Sequence, residues 1–178
     1  MRRAAPVFLT LALIAAAHVA RAGERVDVTA MDGVQLLAEL DGTSGPGIVV
    51  VHDAREDGRV WRAASEALVG RGFRVLRLDL RGHGASGGAV DLAAADRDVE
   101  GACRYLLGRK IRPIFLMGKG AGASAVVAVA GRVPTAGVVL VGAPGTDATK
   151  LAMPVLRLAT VSDPEALARL TSWLAAPE

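Results

Sequence analysis

A glycine-rich turn at residues 118–122 has the spacing of a nucleophilic centre. Its residues, Gly118-Lys119-Gly120-Ala121-Gly122, follow a short apolar run and precede a helix of small residues. In a GxSxG turn of this kind, the middle serine is lifted above a sheet, and the N–H of the next residue helps to form an oxyanion hole. That next residue is Ala121 here. The middle position is Gly120, so the pattern predicts acyl-transfer geometry without a nucleophile.

Three further residues could meet this turn at the same edge of a sheet. His52, Asp53 and Ala54 follow the apolar run at 48–51, and the carboxyl ends of parallel strands share one edge. His52 could serve as a base, although a histidine at a strand end is more often oriented by packing and backbone hydrogen bonds. Asp53 would oppose a developing oxyanion, because both carry negative charge.

Other polar residues are weaker candidates for chemistry. Lys119 could be a displaced amine nucleophile, although its position in the turn favours solvent. Ser124 should lie one helical turn beyond Gly120, where a small packing residue is the stronger interpretation. His83 and Ser86 belong to a glycine-rich loop that favours a structural turn.

The same glycines also satisfy a weak phosphate-binding pattern. Residues 118–123 fit GxGxxG/A between a strand and a helix, where helix N–H groups can bind phosphate. No acid for a ribose follows the next strand, and the turn does not open the sheet. Anion binding by the amides of 120–122 beside Lys119 stays an alternative.

Composition argues against several other functions. The formal charge is +3, but the first 22 residues contain three arginines and no acid, so the remainder has 18 basic and 18 acidic residues. A neutral chain with few aromatics predicts no nucleic-acid partner. Cys103 lies on the apolar stripe of a helix and is expected to be a buried core residue. His52 and His83 have no ligand at zinc spacing, so we expect neither a metal nor a cofactor.

The first 22 residues have the pattern of a secretory signal peptide. Arg2 and Arg3 precede an apolar stretch, and 20–22 (Ala-Arg-Ala) is a small-x-small cleavage site. The stretch is shorter than the roughly 20 residues that span a bilayer. We therefore expect export to the periplasm or the medium after cleavage near Ala22, with only transient membrane contact, and a single domain at 23–178.

The rest of the sequence alternates between apolar strands and helices. A hairpin is predicted over 26–36, followed by strands at 48–51, 73–80, 114–117, 138–141 and 155–159 and by helices at 59–69, 92–107, 122–130 and 164–174. Continuous apolar strands separated by helices predict an α/β fold with a mostly parallel sheet between two helical layers, a three-layer sandwich.

Three of the strand ends resemble the α/β-hydrolase superfamily, in particular its serine hydrolases and esterases. RVLRLDLRGHGASGG (74–88) is similar to the DxRGHGxSxG loop, and VVVHD (49–53) to the strand that ends in His-Gly at the oxyanion hole. PVLRLATVSDP (154–164) resembles the strand that delivers the catalytic acid. The resemblance covers about 26–175 and implies that Asp163 is this acid, with His52, Asp53, Ala54 and Ala121 around the oxyanion pocket.

The departures from that family are as informative as the matches. Gly120 replaces the nucleophile, and Asp53 stands where the family usually has glycine. The family's histidine follows one further strand beyond the acid, whereas this chain ends at Glu178 after one more helix. We therefore expect a truncated α/β-hydrolase fold and a pseudoenzyme or binding protein that takes a small apolar or acyl ligand.

Two alternatives to this interpretation stay open. One is an active carboxylic ester hydrolase with a nonstandard site, or with a strand and histidine supplied by another chain. The other is the anion or nucleotide site described above. A missing strand would also leave a sheet edge exposed, which predicts a possible homodimer through that edge.

Overall fold

Seven segments of the chain form the strands of one sheet. The computed structural model describes residues 23–176. The strands are β1 (Glu24–Thr29), β2 (Gln35–Asp41), β3 (Gly47–Val51), β4 (Arg74–Leu78), β5 (Ile114–Lys119), β6 (Gly137–Val141) and β7 (Val155–Leu158). Across the sheet they lie in the order β1-β2-β4-β3-β5-β6-β7.

The direction of each strand matches the sequence pattern. β1 and β2 form the predicted antiparallel hairpin, and β2 is antiparallel to β4. The other neighbours are parallel. Every residue of β3 and β6 is buried, which is why these strands are continuous apolar runs rather than alternating ones. The predicted mostly parallel sheet is confirmed.

Four helices cover the two faces of the sheet. They are α1 (Arg62–Val69), α2 (Ala95–Gly108), α3 (Ala121–Ala130) and α4 (Pro164–Leu174). Residues of α2 and α3, such as Val99 and Val126, belong to one apolar cluster, whereas α1 and α4 contribute Leu68 and Leu170 to the other. The sheet therefore lies between two helical layers, and the predicted three-layer α/β fold is confirmed.

Some element boundaries differ from the expectation. The strand predicted at 73–80 is β4 alone, because the N–H of Phe73 bonds back to Leu68 and that of Leu80 bonds to the His52 ring. The helices predicted from residues 59 and 92 each begin with a 3-10 turn, at Gly58–Trp61 and Leu92–Ala94. Asp57 and Asp91 cap these turns by accepting backbone N–H bonds.

A buried arginine fastens the loop after β4. The Arg81 guanidinium donates to the Asp98 carboxylate on α2 and to that of Asp32 in the β1–β2 turn. These hydrogen bonds to Asp98 and Asp32 raise the Arg81 pKa. The pairing explains how a charged side chain that is only 6% exposed can lie in the interior. The sequence analysis did not foresee this network.

Cys103 is fully buried on α2, as its stripe predicted. Burial raises the pKa of its thiol to about 12, so the thiolate that makes a cysteine reactive is suppressed. This supports a packing role for the side chain.

The predicted signal peptide and its cleavage site lie outside the described residues. The export that depends on this signal therefore stays a prediction. Within 23–176, no helix has both the length and the hydropathy needed to cross a membrane.

Candidate functional site

The predicted elbow is present between β5 and α3. Gly120 lies at the turn with φ 53° and ψ −120° and immediately precedes α3, a backbone conformation that glycine adopts more easily than other residues. Gly122 in the first turn of α3 packs so closely on β3 that an added Cβ would lie 2.5 Å from the His52 carbonyl oxygen. The glycines therefore allow strand, turn and helix to approach one another as a GxSxG turn requires.

Asp53 reaches across to this turn from the end of β3. Its Oδ1 accepts a hydrogen bond of 2.8 Å from the N–H of Ala121 and another of 2.8 Å from the N–H of Ala54. These bonds, with that from Ala121 the larger cause, lower the Asp53 pKa. The carboxylate is thus an ionised group that fills the position of the predicted oxyanion hole.

The Asp53 carboxylate also fills the space beside Gly120. A Cβ built at residue 120 would overlap the carboxyl carbon and both oxygens of Asp53. Glycine therefore suits this position for two reasons. Its φ of 53° disfavours other residues, and any side chain at 120 would force the Asp53 carboxylate to move.

His52 is oriented by the backbone, as the strand-end position suggested. The ring is fully buried, its Nε2 accepts from the N–H of Leu80 at 3.0 Å, and its Nδ1 donates to the Asp53 carbonyl at 2.8 Å. The Leu80 N–H cannot accept, so Nε2 carries no proton and the ring is the neutral Nδ1–H tautomer. Burial lowers the His52 pKa. Both nitrogens are engaged, so neither is free to take a proton from a nucleophile.

Both nitrogens of His83 face backbone carbonyl oxygens, and the neutral ring can donate to one of them. Nδ1 lies 3.0 Å from the Arg81 carbonyl oxygen, and Nε2 lies 2.9 Å from that of Ala54. The ring thus joins the loop after β4 to the loop after β3. Ser86 in the same loop accepts from Leu37 N–H and donates to the Asp79 carbonyl, which agrees with the predicted structural turn.

The remaining weak candidates have ordinary surroundings. Lys119 Nζ forms an ion pair of 2.5 Å with Glu56 Oε1, so the amine is held by a carboxylate rather than directed freely to solvent. Ser124 is exposed on α3, so the structure does not support the packing role that the sequence favoured. The outer face of α3 leaves its hydroxyl in water.

Asp163 lies at the start of α4 and caps it. Its Oδ1 accepts from the Ala166 N–H at 2.8 Å, Pro164 occupies the first helical turn, and the Asp163 side chain is exposed. This contact is an N-cap that would be expected for Asp-Pro-Glu whatever the family. The role of catalytic acid for Asp163 stays a prediction.

A charged cleft is lined in part by the loops after β3 and β4, which also carry Asp53 and His83. It has a volume of about 230 Å³, and its walls include Arg25, Glu39, Arg77, Asp57 and Asp79. Arg77 is ion-paired there with Glu39 and Asp41. Gly120 does not line this cleft, and its charged walls do not suit the predicted apolar ligand, which stays a prediction.

The described residues contain no group of three or more histidine, cysteine, aspartate or glutamate side chains arranged to hold a metal ion. For a phosphate or nucleotide at the same turn, the Ala121 amide that would contribute to the site already bonds to Asp53. An external anion at Ala121 would have to displace this carboxylate.

Comparison with known proteins gives the family context for this geometry. Residues 46–175 match a family model described as serine aminopeptidase, S33. None of the curated proteins matches the sequence.

Solved structures with the same fold include esterases and epoxide hydrolases. An esterase of Pyrococcus furiosus is 23% identical with a TM-score of 0.63 over 67% of this chain and 51% of its own. Epoxide hydrolase A of Mycobacterium thermoresistibile is 27% identical with a TM-score of 0.58 over 67% and 39%. An epoxide hydrolase of Vigna radiata is 22% identical with a TM-score of 0.60 over 68% and 41%. This chain thus spans about half the length of these proteins or less.

Proposed function

Since the chain belongs to the serine aminopeptidase S33 family of α/β-hydrolases, we propose that it is a member without serine-hydrolase turnover. In this proposal the frame of an acyl-transfer site is retained for binding rather than catalysis. Substrates and partners of the esterase and epoxide hydrolases are not carried over, because the shared region is only part of those proteins.

One observation carries the proposal. The position of the attacking side chain is a glycine, and the space that such a side chain would need is filled by the Asp53 carboxylate. The same carboxylate takes the Ala121 N–H, which a hydrolase uses to stabilise the oxyanion. The site therefore lacks its attacking atom, and its stabilising donor is occupied.

The proton-transfer side of the mechanism supports the same conclusion. A base must lie within hydrogen-bond reach of the proton that it removes. Within residues 23–176 the two imidazoles are His52 and His83, and each has both nitrogens at backbone groups. Ser124 has a hydroxyl, but its side chain is exposed on α3, and neither imidazole is among its hydrogen-bond partners.

The setting of this site is part of the same proposal. We propose that the protein is exported, because residues 1–22 have the pattern of a signal peptide. We also propose that its partner is a small acyl or apolar ligand, or a second copy of the chain bound at the β7 edge. β7 is an edge strand of the described sheet, paired there with β6 alone, and an edge strand can pair with a strand of another chain. Thermal-shift screening with acyl ligands, phosphate and NAD separates these ligands, and sedimentation measures dimerisation.

The decisive experiment treats the purified protein with a fluorophosphonate probe and with a short p-nitrophenyl ester. We expect no labelled serine and turnover far below the roughly 1–10³ per second of ordinary enzymes. Trace hydrolysis would not contradict this, because sites without a triad can retain about 10³–10⁴-fold acceleration over water. Labelling of any serine would overturn the proposal, as would enzyme-range turnover lost in Ser124→Ala. Activity that depends on protein concentration would indicate a site completed by a second copy.

A further inference from the structure

We infer that Asp53 is the resident anion of a complete oxyanion hole, and that Asp53 and Gly120 form one coupled substitution that closes it. This deepens the proposed function and rests on it, because a hole that holds the protein's own carboxylate cannot receive the oxyanion of a substrate. Closure of the hole by Asp53 predicts coupled effects on unfolding and anion binding by the freed amides. Loss of activity alone predicts neither.

The hole is complete because two donors from distant parts of the chain converge on one oxygen. The Ala54 N–H comes from the loop after β3 and the Ala121 N–H from the start of α3, and each lies 2.8 Å from Asp53 Oδ1. Donors at about 2.7–3.1 Å from the anionic oxygen are the geometry of a working oxyanion hole. Loss of the nucleophile has therefore not dispersed the donors.

Neighbouring groups hold the carboxylate in that position. The Asp53 N–H donates to Glu56 Oε2 at 3.3 Å, and Glu56 Oε1 pairs with Lys119 at the end of β5. The loop that carries Asp53 is thus tied to the strand that carries the elbow. The positive charge of Lys119 also favours the ionised form of Asp53 and helps to lower its pKa.

Coupling follows from the overlap at Gly120. A Cβ at residue 120 and the carboxylate of Asp53 would occupy the same space, so a side chain at 120 requires the carboxylate to leave its present position. A serine at 120 has to extend from that same Cβ. Restoring a nucleophile therefore requires two changes, with Asp53 removed before or together with Gly120.

A double-mutant cycle on thermal unfolding tests this coupling. Gly120→Ala should lower the melting temperature by roughly 6–12 °C, from backbone strain plus overlap with Asp53. In the Asp53→Ala background the same change should cost less than half as much, because only the strain remains. Asp53→Asn keeps the shape of the carboxylate, so in that background the drop should be nearly full. Equal drops in all three backgrounds would overturn the inference.

A second measurement does not require the Gly120 variant to fold. Formate is added to ¹⁵N-labelled Asp53→Ala, with sodium chloride at the same ionic strength as the reference. The Ala54 and Ala121 amide signals should shift together in a saturable way, while neither moves in the native protein or in Asp53→Asn. Asp163→Ala is the matched control, since it removes a helix-capping carboxylate elsewhere and should leave those two signals unmoved by formate. If the two amides do not respond in Asp53→Ala, they do not form a hole.

The two proposals fail in different experiments. A fluorophosphonate-labelled serine in the native protein would overturn the proposed function, whatever the unfolding cycle shows. Additive unfolding effects with silent amides would overturn the coupling of Asp53 with Gly120, even when the native protein is inert toward every ester.

Discussion

The first turns of α3 and α4 each contact an aspartate, and the two aspartates differ in where they lie in the chain. Asp163 precedes α4 directly and accepts from Ala166 three residues later. Asp53 belongs to the end of β3 and accepts from Ala121 at the start of α3, 68 residues away. A local cap needs only its own helix, whereas the contact at α3 needs β3, β5 and the turn at Gly120 to be assembled.

This difference separates a local helix cap from a contact that depends on the assembled sheet. The residue before α3 is Gly120, whose lack of a side chain leaves the helix without a local cap. The Asp53 side chain from the end of β3 accepts the Ala121 N–H instead, at the place predicted for the oxyanion hole. Asp163, in contrast, accepts from an N–H of the helix that it starts.

The largest expected effect comes from adding a side chain at the α3 start. Gly120→Ser should lower the free energy of unfolding by roughly 3–5 kcal/mol, because φ is 53° there and the new Cβ overlaps Asp53. Denaturant unfolding measures the change. Gly131→Ser at the other end of α3 is the matched control, since its φ is −83° and its added Cβ meets nothing within 4 Å.

The same serine should not create an efficient enzyme. Both histidines near the site are engaged with the backbone, so no base is placed to receive its proton. The p-nitrophenyl ester assay on the folded fraction of Gly120→Ser checks this. Robust turnover in this variant would show that His52 or His83 can act as a base in spite of its backbone contacts. The start of α3 would then be a working reaction site, unlike the capped start of α4.

The next effect compares the two aspartates directly. Asp53→Ala should cost about 2–3 kcal/mol of unfolding free energy, because two N–H groups lose a charged acceptor. Asp163→Ala should cost about 1 kcal/mol, as a single exposed cap does. Chemical denaturation of both variants in one buffer gives the ratio. Equal costs would mean that the long-range contact is no more than a second cap.

A third effect depends on pH, because buried His52 lies beside the start of α3 and no histidine lies beside the start of α4 among the described residues. Burial lowers the pKa of His52 in the folded state. Below about pH 6.5 the unfolded chain takes up a proton that the folded ring does not, so stability falls as pH falls, by up to about 1.4 kcal/mol per pH unit. His52→Gln should lose this part of the slope in unfolding measured between pH 5 and 7. An unchanged slope would place the titration elsewhere.

The smallest effect should come from the ion pair beside the site. Lys119 and Glu56 are 39% and 25% exposed, so Lys119→Gln should change the unfolding free energy by only about 0.5 kcal/mol. Arg104→Gln, which breaks the exposed pair with Glu100 on α2, is the control of similar size. A much larger loss at Lys119 would show that the Asp53 loop depends on this pair for its position.

Much of the fold was predictable because its signals are local. Burial on both faces makes β3 and β6 continuous apolar runs, and the 3.6-residue spacing of apolar positions marks α2. The start of α4 follows from Asp163 and Pro164, which favour a cap and a first turn. Element ends were less accurate, since the limits of β4 depend on where Phe73 and Leu80 find hydrogen-bond partners.

The site was predictable in its members but not in its contacts. The sequence indicated that Gly120, Asp53 and His52 would meet at one sheet edge, because parallel strands end together. It did not indicate that Asp53 fills the space of the missing side chain, that Lys119 pairs with Glu56, or that Ser124 is exposed. These outcomes depend on side-chain directions at residues that are far apart in the chain.

The sequence by itself determined the α/β alternation, the hairpin, the family resemblance and the lack of a nucleophile at Gly120, since each is written in residue types and their spacing. Only the tertiary structure decided that Asp53 holds the amides of Ala54 and Ala121. The physical reason is that a hydrogen bond across 68 residues has no local periodicity to reveal it. Such a bond exists only when packing of β3 against β5 brings the two groups within 2.8 Å.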